Sequence, residues 1–174
     1  MLARELSKMR MKNPFLLSVF ITVIVWLVVI VEKNLNSEIN DVSITLDVGE
    51  NTSPLRRVAL LSDLHIGESQ NELERLTLLW SQVLAEQPDI ILLAGDYTKD
   101  TRHMRDVDAH RRAIAEILGE SKHTPVVAVL GNHETWSSPL LWSSAFRQAG
   151  ISVLENQIYE SDVAKMCIRG LGDY

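Results

Sequence analysis

Cysteine is nearly missing from this chain: Cys167 is the only one in 174 residues. A single thiol forms no internal disulfide and no cysteine-based zinc site, so redox chemistry assigns no compartment. Cys167 itself reads as a small buried hydrophobe beside a strand. An excess of positive charge is missing too. The formal net charge is −6, with Arg4, Lys8, Arg10 and Lys12 set against Glu5 before residue 32. The basic end is therefore short, and the rest of the chain is decidedly acidic. Such a domain is a poor partner for nucleic-acid phosphates, so no nucleic-acid binding is expected. It suits clustered carboxylates that hold cations. Internal repeats and low-complexity tracts are absent. The length allows one domain with a sizeable core and little more.

What the chain does have is one long apolar run. Phe15 to Val31 reads FLLSVFITVIVWLVVIV, without a charge. At about 1.5 Å per residue this nearly spans a hydrocarbon core of roughly 30 Å. Ser18 and Thr22 are its polar residues, and both can bond back to a helix. A buried core helix would not be apolar on every face behind a basic tail. A cleaved signal peptide would end in a small-residue site, and here Glu32, Lys33 and Asn34 follow instead. The expectation is a single-pass transmembrane anchor at 15–31 behind a basic cytoplasmic tail at 1–14. Four Lys/Arg precede the run and Lys33 alone follows closely, which puts the main domain outside the cytoplasm, on the periplasmic side of a bacterial membrane. Residues 32–54 read as a linker. One strand is expected at 42–48, where Val42, Ile44, Leu46 and Val48 alternate with polar residues.

Residues 55–174 read as the globular domain. Short apolar runs at Arg57–Ser62 (RVALLS), Asp89–Ala94 (DIILLA) and Pro125–Leu130 (PVVAVL) are expected buried strands. Helical spacing marks 71–86, 107–118 and 139–149, closed by Pro88, Gly119 and Gly150. Short strands are expected at 151–154, 157–160 and 165–169. Alternating strands and helices of this length predict an α/β domain with a mainly parallel sheet.

Each of the three apolar strands runs into polar residues: Asp63-Leu64-His65, Gly95-Asp96, and Gly131-Asn132-His133-Glu134. In an open α/β sheet, ligands sit outside the carboxyl ends of the strands. Adjacent strands would gather Asp63, His65, Asp96, Asn132 and His133 on one rim. Asp63 and His65 are two apart, so an extended chain would point them the same way. Gly95 and Gly131 stand where a sharp turn and close backbone approach are needed. Carboxylate, imidazole and amide oxygen together suit Mn, Fe, Zn or Mg. Singly, each of these residues reads as a turn, a cap or a structural histidine. Unrelated turns have no reason to choose this ordered set. His103, His110 and His123 match no motif and read as structural residues on or beside a helical surface. The charged stretch from Arg102 to Arg112 reads as a solvated face, with a lid as the alternative.

The ordered set D-x-H, G-D and G-N-H-E, with its approaches ALLSDLHIG, PDIILLAGDY and VAVLGNHE, resembles the calcineurin-like metallophosphoesterase superfamily over Arg57 to Tyr174. It looks most like a membrane-associated phosphodiesterase-like branch of bacteria. The resemblance implies the N-terminal half of a β-sandwich flanked by helices, preceded here by the transmembrane helix. It implies two divalent metal ions and a hydrolase acting on phosphomonoesters or phosphodiesters through a water activated by both metals. Asp63 and His65 would hold the first metal, Asp96 would bridge, and Asn132 would bind the second. His133 would contact the phosphate or protonate the leaving oxygen. Glu134 would orient His133 or its loop. The anchor suggests a lipid-linked or envelope phosphate ester as the substrate.

The family's later histidine and its G-H-x-H motif are not found after His133. The resemblance is therefore to a C-terminally truncated member, a fragment or a shortened product, expected to be weak or inactive on its own. Two alternatives accompany the leading reading. One is a cytoplasm-facing pyrophosphatase acting on a nucleotide-linked lipid. The other is a non-catalytic membrane-bound remnant.

Overall fold

The computed structural model describes residues 56–162 and 166–172. The expected cytoplasmic tail, transmembrane run, linker and strand at 42–48 lie outside the described residues. Among the described residues, no helix is long and apolar enough to cross a membrane.

The elements alternate as the apolar runs predict. Strand β1 (Val58–Leu61) leads to helix α1 (Gln70–Ala85), β2 (Ile90–Leu93), a 3-10 turn at Thr101–His103 and helix α2 (Val107–Gly119). Then come β3 (Val126–Ala128), the short helix α3 (Asn132–Ser137), α4 (Pro139–Gln148) and β4 (Ser152–Val153). Strands β5 (Gln157–Ser161) and β6 (Met166–Gly170) complete the described chain. Strands β1 to β4 form one sheet in sequence order, and every pairing in it is parallel. β5 and β6 form a separate antiparallel pair.

Local chemistry explains the helix limits. Ser69 caps α1 by accepting the Glu72 N–H, and Leu76, Trp80 and Val83 make its buried stripe. Asp106 caps α2 by accepting the Ala109 N–H at 2.8 Å. Pro139 opens α4, where its missing N–H costs nothing, and Gly150 takes φ 84° just beyond its end. The main core lies between these helices and one sheet face, where Ile91, Leu93, Ile114, Leu118, Trp142 and Phe146 meet. Both core indoles are satisfied: Trp80 donates to the Glu120 carbonyl at 3.1 Å, and Trp142 to the Ser137 hydroxyl at 2.8 Å. On the opposite face Ile90, Val127 and Leu154 pack with Tyr159, Met166 and Ile168 of the antiparallel pair. The antiparallel pair thus covers part of the sheet's second face.

Four expectations are corrected. Strand β1 is an edge strand rather than a buried one, and its Leu60 is 68% exposed. Cys167 is exposed, because the alternation along β6 turns Met166 and Ile168 inward and Cys167 outward. The stretch from Arg102 to Arg112 is not wholly solvated. His110 and Arg111 are buried, with Arg111 paired to Asp108 at 2.7 Å and stacked over Trp142. Helix α3, which begins inside the third motif, was not expected.

Candidate metal centre

Among the described residues, metal donors concentrate on one rim of the parallel sheet, whose construction begins in the backbone. The loops after β1 and β2 continue the parallel pairing beyond the strands. The Asp63 N–H donates to the Gly95 carbonyl at 3.1 Å, His65 to Asp96 at 3.0 Å and Ile66 to Tyr97 at 2.8 Å. To do so the chain twists sharply: Asp63, His65 and Asp96 take φ 55°, 44° and 56°. The extended geometry expected between Asp63 and His65 is therefore replaced by a left-handed one. The two side chains still meet, with Asp63 Oδ1 3.7 Å from His65 Nε2.

The loop after β3 closes on the same point. A Cβ placed on Gly95 would stand 2.7 Å from the Gly131 nitrogen, and one on Gly131 would stand 2.2 Å from Asp96 Oδ1. Real Cβ atoms do not approach so closely, so both motif glycines are there for backbone contact.

Glu134 locks this arrangement. Its carboxylate is fully buried. Oε2 accepts the N–H groups of Asp96 at 2.9 Å and Gly131 at 3.1 Å. Oε1 accepts those of Tyr97 at 2.9 Å and Thr98 at 3.2 Å. Burial pushes the Glu134 pKa up, and the four N–H groups oppose it. Tyr97 ties the same strand ends: its hydroxyl donates toward the Leu93 and Val129 carbonyls at 3.0 and 2.5 Å and accepts the Gly95 N–H at 3.2 Å. Burial holds that phenol well above its ordinary pKa, with Glu134 as the next cause.

His65, Asp96 and His133 each present a ligand atom, all within 4.8 Å of one another. The His65 and His133 rings meet edge to face at 4.6 Å. Asn132 lies against the Asp96 carboxylate. With its NH2 turned there it donates to Oδ1 at 3.1 Å and Oδ2 at 3.0 Å. With its oxygen turned there, three acceptor oxygens crowd together, an arrangement that a cation relieves. His133 Nδ1 is buried without a hydrogen-bond partner among the described residues, while the His133 N–H donates to Asp96 Oδ1 at 3.2 Å. One carboxylate and two imidazoles converge on one point, with the Asn132 amide beside them, and the donor set fits a divalent cation.

A family model described as calcineurin-like phosphoesterase matches residues 56–169. The chain belongs to that family. No curated protein and no solved structure matches it. The calcineurin-like phosphoesterase domain supplies a hydrolase fold for phosphate esters, and its candidate metal cluster lies where the three motifs converge.

All six residues singled out from the sequence sit at or beside this rim. His133 stands within the trio of metal-competent side chains, close enough to serve as a ligand itself. The other histidines stand apart from it. His103 and His123 are exposed, as a structural surface reading expects. His110 is a correction: it is buried, with Nε2 3.2 Å from the Ile66 carbonyl. Two contributors were missed. Tyr97 follows Asp96 directly at the end of PDIILLAGDY, and nothing local signals the carbonyls its hydroxyl reaches. Trp136 stands three residues after His133, a spacing that matters only once α3 is known to be a helix.

Proposed function

We propose that this domain hydrolyses phosphomonoesters or phosphodiesters with a water activated at a two-metal centre. The carrying observation is the convergence of His65, Asp96 and His133 within 4.8 Å, with Asp63 and Asn132 alongside. Asp63 and His65 would hold one cation, Asp96 both, and Asn132 the second. Mn, Fe, Zn and Mg all accept such donors. When bound, the pair supplies charge for the phosphoryl oxygens and lowers the pKa of a bound water.

The remaining tasks fall to the chain's own groups. His133 contacts the phosphate or delivers a proton to the leaving oxygen. Glu134 holds the loops that carry Asp96 and His133 in register, through the four N–H groups it accepts. The placement of His133 is helped by its own N–H to Asp96.

The apolar run at 15–31 supports a membrane anchor. Its flanking charges support a catalytic domain outside the cytoplasm, acting on a lipid-linked or envelope phosphate ester. A reporter fused after Tyr174 that reads cytoplasmic would overturn that orientation.

The test of the chemistry is a calorimetric Mn2+ titration of the purified chain, paired with hydrolysis of nitrophenyl phosphate and bis(nitrophenyl) phosphate. Two bound ions are expected, with at most weak, chelator-sensitive release of nitrophenol from these 174 residues alone. Absence of any metal binding would end this reading.

A further inference from the structure

Trp136 is 76% exposed, whereas Trp80 and Trp142 are buried in the core with their indole N–H groups bonded. A large ring left in water calls for a reason when it adjoins a reaction centre. Trp136 adjoins this one. Its ring centroid is 5.5 Å from that of His133, at an interplanar angle of 35°. His133 in turn meets His65 edge to face at 4.6 Å. His65, His133 and Trp136 thus form a chain of ring contacts that ends on an exposed indole. The order is set by α3, on which His133 and Trp136 are three residues apart and share a face.

We infer that Trp136 is a specificity-determining residue that stacks on a flat, π-faced organic group of the phosphate ester, an aryl ring or a nucleobase. The inference rests on the phosphoesterase reading above. An ester whose phosphoryl group lies against His133 carries its organic group one linkage outward, toward the neighbouring indole. An indole offers an apolar face that accepts any π-faced ligand in offset stacking. A saturated ring or a methyl group gains less there. Insertion into a lipid surface is the competing use of an exposed tryptophan. It would call for no ring contact with a metal-donor histidine, and that contact is what the structure provides.

The test uses phosphonates, which are not hydrolysed and so report binding alone. The full 174-residue chain in neutral detergent with saturating Mn2+ is titrated calorimetrically with phenylphosphonate, methylphosphonate and the methylenephosphonate analogue of an adenosine monophosphate. Phenylphosphonate should bind on the order of tenfold more tightly than methylphosphonate. Trp136→Ala should erase that preference while leaving methylphosphonate affinity and the melting temperature in place, and Trp136→Phe should keep most of it. A larger gain for the adenosine methylenephosphonate than for phenylphosphonate points to a nucleobase, and the reverse points to a simple aryl group.

Equal binding of phenyl- and methylphosphonate would overturn the inference and leave the phosphoesterase reading standing. So would a phenyl preference that survives in Trp136→Ala. Quenching of exposed tryptophan emission by brominated phosphatidylglycerol vesicles, lost in Trp136→Ala and found without any phenyl preference, would assign the ring to a membrane instead. Failure of both phosphonates to bind would sink the phosphate site, and this inference with it.

Discussion

The buried carboxylate of Glu134 accepts the backbone N–H of Asp96 at 2.9 Å, although the two residues stand 38 positions apart on different loops. That bond fixes the position of the carboxylate proposed to lie between two cations. In Glu134→Gln, one oxygen becomes an NH2 that faces two N–H donors. Each buried group left unsatisfied costs about 1–3 kcal/mol. The variant should unfold at lower urea concentration and bind Mn2+ more weakly. An unchanged urea midpoint would show that the four N–H contacts carry no weight.

Gly131→Ala brings a methyl group to where Asp96 Oδ1 now stands. Either the carboxylate or the loop must shift, at about 1–3 kcal/mol for an overpacked site. Gly150→Ala is the control. Gly150 has a positive φ, 84°, unlike Gly131 at −93°, and nothing lies within 4 Å of its would-be Cβ. Both variants should lose stability, and only Gly131→Ala should lose Mn2+ affinity. Calorimetry on the pair tells the two apart.

His110 predicts a pH dependence of stability. Burial depresses its pKa below the ordinary 6.5, against the raising effects of the Ile66 carbonyl, Glu68 and Glu72. The unfolded chain therefore takes up this proton near pH 6.5, and the folded chain only at lower pH. Stability should be full above pH 6.5 and should fall as pH drops through that window toward the folded pKa. One such proton is worth at most about 1.4 kcal/mol per pH unit. His110→Gln should flatten the dependence of the urea midpoint between pH 7 and pH 5. Parallel curves for the two proteins would refute the assignment.

Glu68 predicts an effect at lower pH. It accepts the N–H groups of Arg105 and Asp106 at 2.8 and 2.7 Å, and those bonds lower its pKa below 4.5. Its contribution should be constant above pH 4.5 and should disappear as pH falls through the depressed folded value. The melting-temperature gap between wild type and Glu68→Gln should close over that range. A gap that persists to pH 2 would rule out a role for the ionised carboxylate.

Leu60 on edge strand β1 and Ile158 on β5 are both well exposed. Apolar residues on a sheet edge invite association. Leu60→Lys with Ile158→Lys should lower light scattering of the concentrated protein and leave the melting temperature nearly unchanged. A large fall in melting temperature would mean that these side chains are buried in the molecule as it exists in solution.

Much of the rim was legible in the sequence because its signals are local. Apolar runs gave the strands, and the motif residues follow each run directly. Close approach at Gly95 and Gly131 could be read because each glycine closes an apolar strand run directly before a motif residue, although Gly-Asp or Gly-Asn alone reads as a turn. What escaped did so for several reasons. His110 lies four residues before Ile114 and eight before Leu118, on the buried stripe of α2, but a histidine that matches no motif reads as a surface residue. The exposure of β1 depends on what else covers its face. Helix α3 is six residues long and starts inside a motif that reads as a turn. Its Gly131 cap has no side chain to advertise a helix start, although Glu134 reaches back to the Gly131 N–H. The register of Trp136 with His133 was hidden for the same reason.

The left-handed backbone at Asp63, His65 and Asp96 governs how mutagenesis of this rim must be interpreted. An L-residue with a Cβ pays on the order of 1–2 kcal/mol for that conformation, and asparagine and aspartate tolerate it best. Asp63→Asn and Asp96→Asn therefore change charge while keeping backbone compatibility, and their defects report chemistry. Threonine or valine at the same positions adds a branched Cβ to a strained φ, so a dead enzyme would report a displaced loop. The practical alphabet for probing or redesigning this rim is short, and the backbone sets it before any metal is considered.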